Sequence, residues 1–362
     1  MNADKVGYAV KPLRNKWREL GVTDETAWPA ETWSDLVDDG GTRWGIAREH
    51  GGEAWTPVEL LAAGMELSRG HLTTAFIWTQ FLAAIQRLEK APTDLRLKWL
   101  PRLAEGSTFA TVGISHLTTS RQHWTTPAVH AIPEANGYRI TGSIPWVTGS
   151  PQADVIVAGA TLDDGNQILF ALDTKSPGVE RGAPLSLLAL SGSQTGGIEL
   201  RDVPIAFDDL IAGPVAQVLK AMGGGGAGSL MTSAIATGHA LSAWDHLDRI
   251  TAGREEFDVI KQTWRETLRT LRDDILNTAQ ADSSGPHTAE SLRLRSTTLA
   301  LQLSQALLTA SKGAGFVTGH PAERIAREAM FFLVWSCPQA VAGELLRGFA
   351  EQPRDCSPWA SE

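Results

Sequence analysis

The chain has 362 residues, 43% hydrophobic and 20% charged; this excludes collagen-like, disordered and disulfide-scaffold classes, and the length suggests two or three domains at roughly 150 residues each. Lys and Arg number 32 against 41 Asp and Glu, a net charge of −9. An acidic chain repels phosphate backbones, so nucleic acid is not an expected partner.

Residues 1–107 read as helical. Leu60, Leu61, Met65 and Leu67 recur at about the 3.6-residue period of an amphipathic helix. Residues 72–88 are apolar all round, the pattern of a helix buried inside a domain. Residues 95–104 form a shorter amphipathic stretch, with Gly106 as a stop signal.

From 108 to 218 the texture changes to short apolar runs between turn residues: 109–114, 129–132, 138–141, 155–160, 167–172 and 197–203. Asn136-Gly137 reads as a hairpin turn in which both residues take positive φ. Asp163-Asp164-Gly165-Asn166 reads as the next turn. Strands so spaced predict an antiparallel sandwich or barrel.

From 219 to 362 the pattern is helical again, with candidates at 230–254, 259–281, 291–312 and 322–349, the last interrupted at Pro338. In 291–312, Leu292, Leu299, Leu303 and Leu307 lie near one face, and an apolar face must bury against something. A second copy of the chain is one such partner, and another part of the same chain is the alternative. No repeat of 20–50 residues is present.

The two cysteines, Cys337 and Cys356, fit a reducing compartment and offer no metal framework. No stretch reaches the ~18 apolar residues of a membrane span. The opening MNADKVGYAV lacks the apolar centre of a secretory signal, so a cytoplasmic location is expected.

Residues 223–228 (GGGGAG) satisfy G-x-G-x-x-G, but no strand is predicted before them, and a flexible entry into the next helix is the better reading. His116, His123 and His130 are seven apart, a spacing that sends alternate strand residues to opposite faces and so argues against a shared metal. The 13 Trp either fill cores or stack on a flat cofactor, and composition leaves both open.

Several strings, in this order, resemble the acyl-CoA dehydrogenase superfamily over residues 56–350: LKWLPRLAEG at 97–106, GYRITGSIPWVTGSPQADVIVAGA at 137–160, LSGSQTGGIELRDV at 190–203, Arg254-Glu255-Glu256-Phe257, and PAERIAREA at 321–329. The resemblance implies an α+β fold with a helical domain at 1–107, a β-sandwich or barrel at 108–218 and a helical bundle at 219–362. It also implies FAD, with FMN the alternative, between the β domain and the C-terminal helices. Trp146 would pack near the isoalloxazine and Thr148 would hydrogen-bond its polar edge. Arg254 would bind the pyrophosphate of a flavin held by a neighbouring subunit, in a homodimer or homotetramer. The family's flavin-binding Thr falls on Ile114, or on Ser115 with one residue deleted, and the Ser that follows it falls on Ser120. Gly313 and Gly315 match the Gly-rich turn, which Lys312 and Ala314 alter.

The family's general base, a Glu, falls on Ser336 in VWSCP at 334–338. A hydroxyl cannot abstract an α-proton as a carboxylate can. An earlier-helix location for the base matches Gly228, and 230–236 holds no carboxylate. Three functions follow: a flavin oxidoreductase acting on an acyl thioester or related small molecule, a flavin monooxygenase on the same fold, or a non-catalytic homologue without flavin.

Overall fold

A computed structural model describes residues 3–20, 25–117, 127–223, 230–280 and 286–351. The chain divides into two compact units, residues 1–227 and 228–362.

The first unit opens with five helices: α1 (Ala3–Leu20), α2 (Ala30–Asp38), α3 (Pro57–Gly70), α4 (Leu72–Leu88) and α5 (Thr93–Ala104). A capping box starts α3. The Thr56 hydroxyl accepts from the Glu59 amide at 3.3 Å, and the Glu59 carboxylate accepts from the Thr56 amide at 2.8 Å. The all-round apolarity of α4 has a simple cause: it packs on α3, α5 and the sheet at once, and Ala75, Ile77, Phe81, Ala84 and Leu88 are completely buried. Four of the described Trp residues are buried in this unit. Trp17, Trp44, Trp78 and Trp99 are buried, and the Trp78 indole N–H donates to the Gly41 carbonyl at 3.0 Å.

Eight strands follow: β1 (Ala110–Gly113), β2 (Val129–Glu134), β3 (Gly137–Val147), β4 (Val155–Thr161), β5 (Gln167–Asp173), β6 (Val179–Arg181), β7 (Gly196–Ala206) and β8 (Leu210–Val215). Their order is β6-β7-β3-β2-β4-β5-β8, with β1 also alongside β4. Most pairs are antiparallel, as expected. Two are not: β1 runs parallel to β4 from Ala110↔Val155 to Gly113↔Ala158, and β2 meets β4 in parallel at the single pair His130↔Thr161. These parallel contacts join residues far apart in the chain, so no turn signal announces them. Strands β4 and β5 are buried along nearly their whole length, which is why VIVAGA and ILFAL lack polar alternation.

The β2–β3 hairpin corrects the turn assignment by one residue. Glu134 pairs with Gly137, so the loop residues are Ala135 and Asn136, and neither takes positive φ. Glycine is needed at 137 for another reason: a methyl group there would collide with the Ile205 carbonyl oxygen on β7. The Asp163–Asn166 turn does form, with Gly165 at φ +83 and the Asn166 amide donating to the Asp164 carboxylate at 2.9 Å. After β8 the short helix α6 (Val218–Ala221), not a strand, precedes Gly223.

The second unit contains α7 (Leu230–Ile250), α8 (Asp258–Gln280), α9 (Ala289–Ser311), α10 (Pro321–Val334) and α11 (Gln339–Ala350). Helix α9 is central, touching the other four. Its Leu292, Leu299, Leu303 and Leu307 are buried inside this unit. The apolar face behind the expected homo-oligomer therefore has its partners within the chain and supplies no argument for a second copy. No described helix is long and apolar enough to cross a membrane.

Candidate functional site

The sequence-derived candidates fall into two groups, one in each unit. In the first unit Trp146 and Thr148 lie at the end of β3, and Ile114 and Ser115 directly after β1. Ile144 pairs with Ile198 and Val147 with Gly196, so three steps along β3 face two along β7. The extra residue makes a bulge, a device that re-aims side chains. Here Ile144 and Val147 point into the core while Trp146 is 48% exposed, unlike the core tryptophans.

Thr148 follows at once and is buried. Its oxygen accepts from the Thr195 hydroxyl at 3.3 Å, and Thr195 lies 2.9 Å from Ser193. With Ser193 donating to Thr195, the proton of Thr148 remains available as a donor. The turn after Thr148 is clamped to the same segment: the Gly149 amide donates to the Ser193 carbonyl at 2.9 Å, and the Gln152 and Gln194 side chains bond at 2.7 Å. The sequence reading noted 190–203 as a resembling string but not Ser193 and Thr195 as partners of Thr148; that pairing requires the β3–β7 register.

Ile114 and Ser115 follow β1, where a 3-10 turn over Ser115–Leu117 packs against β3. Ile114 is half-buried against the core and contributes an apolar side chain; Ser115 is half-buried with a hydroxyl. Ser120 lies outside the described residues, as do His123, Gly228 and Cys356. His116 is buried with Nε2 3.0 Å from the Gly159 carbonyl, whereas His130 faces Asp163 at 2.8 Å. Among the described residues no cluster of His, Cys, Asp and Glu could hold a metal ion.

In the second unit, Arg254 follows the end of α7. Its guanidinium lies 4.4 Å from the Phe257 ring centroid, and Nε is 3.4 Å from the Glu256 carboxylate. Glu255 and Glu256 set two negative charges beside its single positive one. After α9, a 3-10 turn spans Lys312–Phe316. Gly315 is tightly packed, since a methyl group there would lie 2.5 Å from Ser311 Cβ; Gly313 faces open space. Lys312 takes φ +54 and ψ −150, a glycine-type conformation held by a residue that carries a Cβ.

Ser336 lies in the link between α10 and α11. It is exposed, with φ +49, and no carboxylate occurs within 334–338. The Phe331 and Trp335 rings stack beside it at 5.1 Å. Two buried groups under this helix escaped the sequence reading. Arg293 on α9 is one. The other is His239 on α7, whose Nε2–H donates to the Ile325 carbonyl at 3.0 Å and whose Nδ1 is 3.7 Å from Glu328. Glu328 is also 3.4 Å from Arg324. No spacing rule links α7 to α10, so only a His amid small residues hinted at this contact.

Burial holds the His239 imidazole below its ordinary value, against the opposing pull of Glu328. The unfolded chain therefore takes up a proton that the folded chain refuses. The stability from neutral His239 is complete above about pH 6.5 and is lost as pH falls below it, by at most about 1.4 kcal/mol per pH unit. Urea midpoints measured from about pH 7 to about pH 5 are expected to fall more steeply for the wild type than for His239→Gln.

Residues 6–107 match the family model described as acyl-CoA dehydrogenase, N-terminal domain. Acryloyl-CoA reductase (NADH) of Anaerotignum propionicum is 22% identical over 327 residues, covering 85% of this chain and 83% of that protein. The family model and the matched relatives are of the acyl-CoA dehydrogenase superfamily, and it is this superfamily that the chain resembles. Among solved structures, butyryl-CoA dehydrogenase from Megasphaera elsdenii superposes with a TM-score of 0.77 at 16% identity, covering 96% of this chain and 97% of the other. FMN-bound TdsC from Paenibacillus sp. A11-2, a dibenzothiophene monooxygenase, gives a TM-score of 0.79 at 15% identity, covering 96% and 98%. At these identities the structural likeness is one of fold. This fold therefore carries both dehydrogenases and flavin monooxygenases.

Proposed function

We propose that the protein is a flavin-dependent oxidoreductase of the monooxygenase kind, acting on a small molecule without α-proton abstraction at residue 336. The observation that carries this reading is Ser336: an exposed hydroxyl stands where the family's carboxylate is expected, and a Ser hydroxyl does not serve as a general base for an α-proton. When bound, a flavin supplies hydride chemistry at N5 and, once reduced, oxygen chemistry.

The residues of the first unit suit such a group: a half-exposed aromatic ring at Trp146 and a hydroxyl donor at Thr148. In this reading Trp146 packs on the isoalloxazine and Thr148 donates to its polar edge. Ser115 offers a further hydroxyl, and Ile114 an apolar wall and a backbone. In the second unit, Arg254 takes the pyrophosphate of an FAD held by a neighbouring subunit in a homodimer or homotetramer; FMN is the alternative cofactor. Phe316, Val334, Leu346 and Phe349 leave apolar surface on the second unit for that assembly.

The second reading is a dehydrogenase or reductase acting on an acyl thioester. It is favoured by the acyl-CoA reductase that matches most of the chain.

The test uses protein reconstituted with FAD or FMN. Absorbance is followed during anaerobic addition of acyl-CoAs, and oxygen uptake is followed with NADH, a flavin reductase and a panel that includes aromatic heterocycles such as indole. The expected result is a yellow protein that acyl-CoA does not bleach and that takes up oxygen in response to a panel member. Ser336→Glu is expected to leave bleaching absent. Bleaching gained by that variant, by the roughly 10²–10⁴-fold that a general base contributes, would move the assignment to the acyl-thioester reading. A protein that takes up neither flavin would be the non-catalytic homologue.

A further inference from the structure

Arg293 is a charged side chain that is 0% exposed, set in the interior of α9. Burying a guanidinium is costly unless the charge is compensated. Among the described residues no carboxylate forms an ion pair with it. Its Nη2 donates to two backbone carbonyls, of Phe332 at 2.9 Å and of Trp335 at 2.7 Å, and Nε and Nη1 have no hydrogen-bond partner. Burial lowers its pKa to about 10, which still leaves it charged at neutral pH.

The two acceptors explain why a cation is tolerated there. They lie at the C-terminal end of α10, where unpaired carbonyls carry the negative end of the helix dipole. The Phe332 ring lies 6.0 Å from the guanidinium and adds its negative face. The Trp335 carbonyl also belongs to the peptide plane that joins Trp335 to Ser336. Fixing that plane restricts ψ of Trp335 and φ of Ser336 together. Ser336 takes φ +49, a conformation strained for a residue with a Cβ, and no glycine is present to relieve it.

We propose that Arg293 is a positioning residue, whose guanidinium grips the carbonyls of Phe332 and Trp335 and so sets the backbone that presents residue 336. This rests on the reading of the 336 link as part of the substrate site. The grip itself is a separate claim, tested separately. Arg293 touches no reacting atom in this proposal; it acts through the backbone of its neighbours.

The experiment is hydrogen–deuterium exchange of the full chain, wild type beside Arg293→Met and Arg293→Lys, with flavin affinity measured on the same samples. Arg295→Met serves as the control, because Arg295 lies on the same helix but pairs with Asp274 at 2.7 Å. In Arg293→Met, exchange in a peptide spanning 333–339 is expected to rise about tenfold, as two charge-assisted bonds no longer oppose local opening. Peptides from α7 should stay at the wild-type rate. Arg293→Lys, which keeps the charge and donors, should fall between the two. If Arg293→Met does not fold, Arg293→Gln, which keeps a donor without the charge, carries the comparison with the same expectation.

Unchanged exchange at 333–339 overturns the proposal. So does an equal rise in Arg295→Met, or a rise spread over every peptide, because either would be general destabilisation. A selective rise with unaltered flavin affinity would uphold the grip and remove the 336 link from the site.

Discussion

Replacing Trp146 by alanine is expected to weaken flavin binding strongly while leaving the fold almost untouched. The ring is 48% exposed and stands on a bulge, between the buried Ile144 and Val147. Removing it opens no sealed cavity, so the change in unfolding free energy should stay within about 0.5 kcal/mol, as for other surface substitutions. Stacking a flat heterocycle on an aromatic side chain is worth about 1–3 kcal/mol, so the flavin Kd should rise roughly 5- to 150-fold. Trp146→Phe should recover part of the loss, because a smaller ring keeps a flat face. Flavin fluorescence titration gives the affinities and urea unfolding the stabilities. An unchanged Kd would place the flavin away from this ring and undo the assignment of the β3 end.

Phe109→Ala is expected to do the reverse, with a large loss of stability that carries the site with it. The Phe109 ring is nearly buried and meets Trp33 at 5.2 Å, Trp28 at 5.6 Å and Phe81 at 6.0 Å between centroids. Truncating such a side chain costs about 3–5 kcal/mol through lost burial and the cavity left behind. The turn after Thr148 also rests on this ring: a methyl group on Gly149, at φ +66, would lie 2.7 Å from Phe109 Cε1. Emptying that space should loosen Gly149 and, through it, the hydroxyl chain of Thr148, Thr195 and Ser193. Urea unfolding should show the loss of stability, and flavin affinity should fall even where the variant remains folded. Phe109→Leu should cost less on both counts. A stability loss with flavin affinity intact would show that the turn holds its shape without the ring.

The elements most legible in the sequence are those whose burial is set by their own periodicity. Residues 72–88 coincide with α4, and Leu292, Leu299, Leu303 and Leu307 do form one buried face of α9. The six apolar runs of the middle region correspond to β1, β2, β3, β4, β5 and β7. Strands β6 and β8 were not anticipated. VER at 179–181 is three residues with no buried side chain, and LIAGPV carries Gly213 and Pro214, which read as loop. Sheet-edge strands bury little, and so leave little hydrophobic pattern to read.

The candidate site was less legible than the fold. Trp146 and Thr148 could be singled out because they lie in one ordered string. Their surroundings could not: Ser193 and Thr195 reach Thr148 through the β3–β7 pairing, from more than forty positions along the chain. Arg293 looked like one of several basic residues on an amphipathic helix, and only its approach to the end of α10 shows that it is buried on carbonyls.

The sequence by itself determined most of the helical segments, six of the strands, the order of helical, β and helical regions, and the absence of any carboxylate from 334–338. Each of these is written in neighbouring residues, through side-chain period, turn chemistry or residue identity. The tertiary structure alone decided that β1 runs parallel to β4, that the bulge at β3 turns Trp146 outward, that the apolar face of α9 is satisfied within the chain, and that buried His239 and Arg293 support α10. These depend on the burial of one segment by another distant in sequence, where charge, hydration and hydrogen-bond supply are set by packing rather than by the residue's own neighbours.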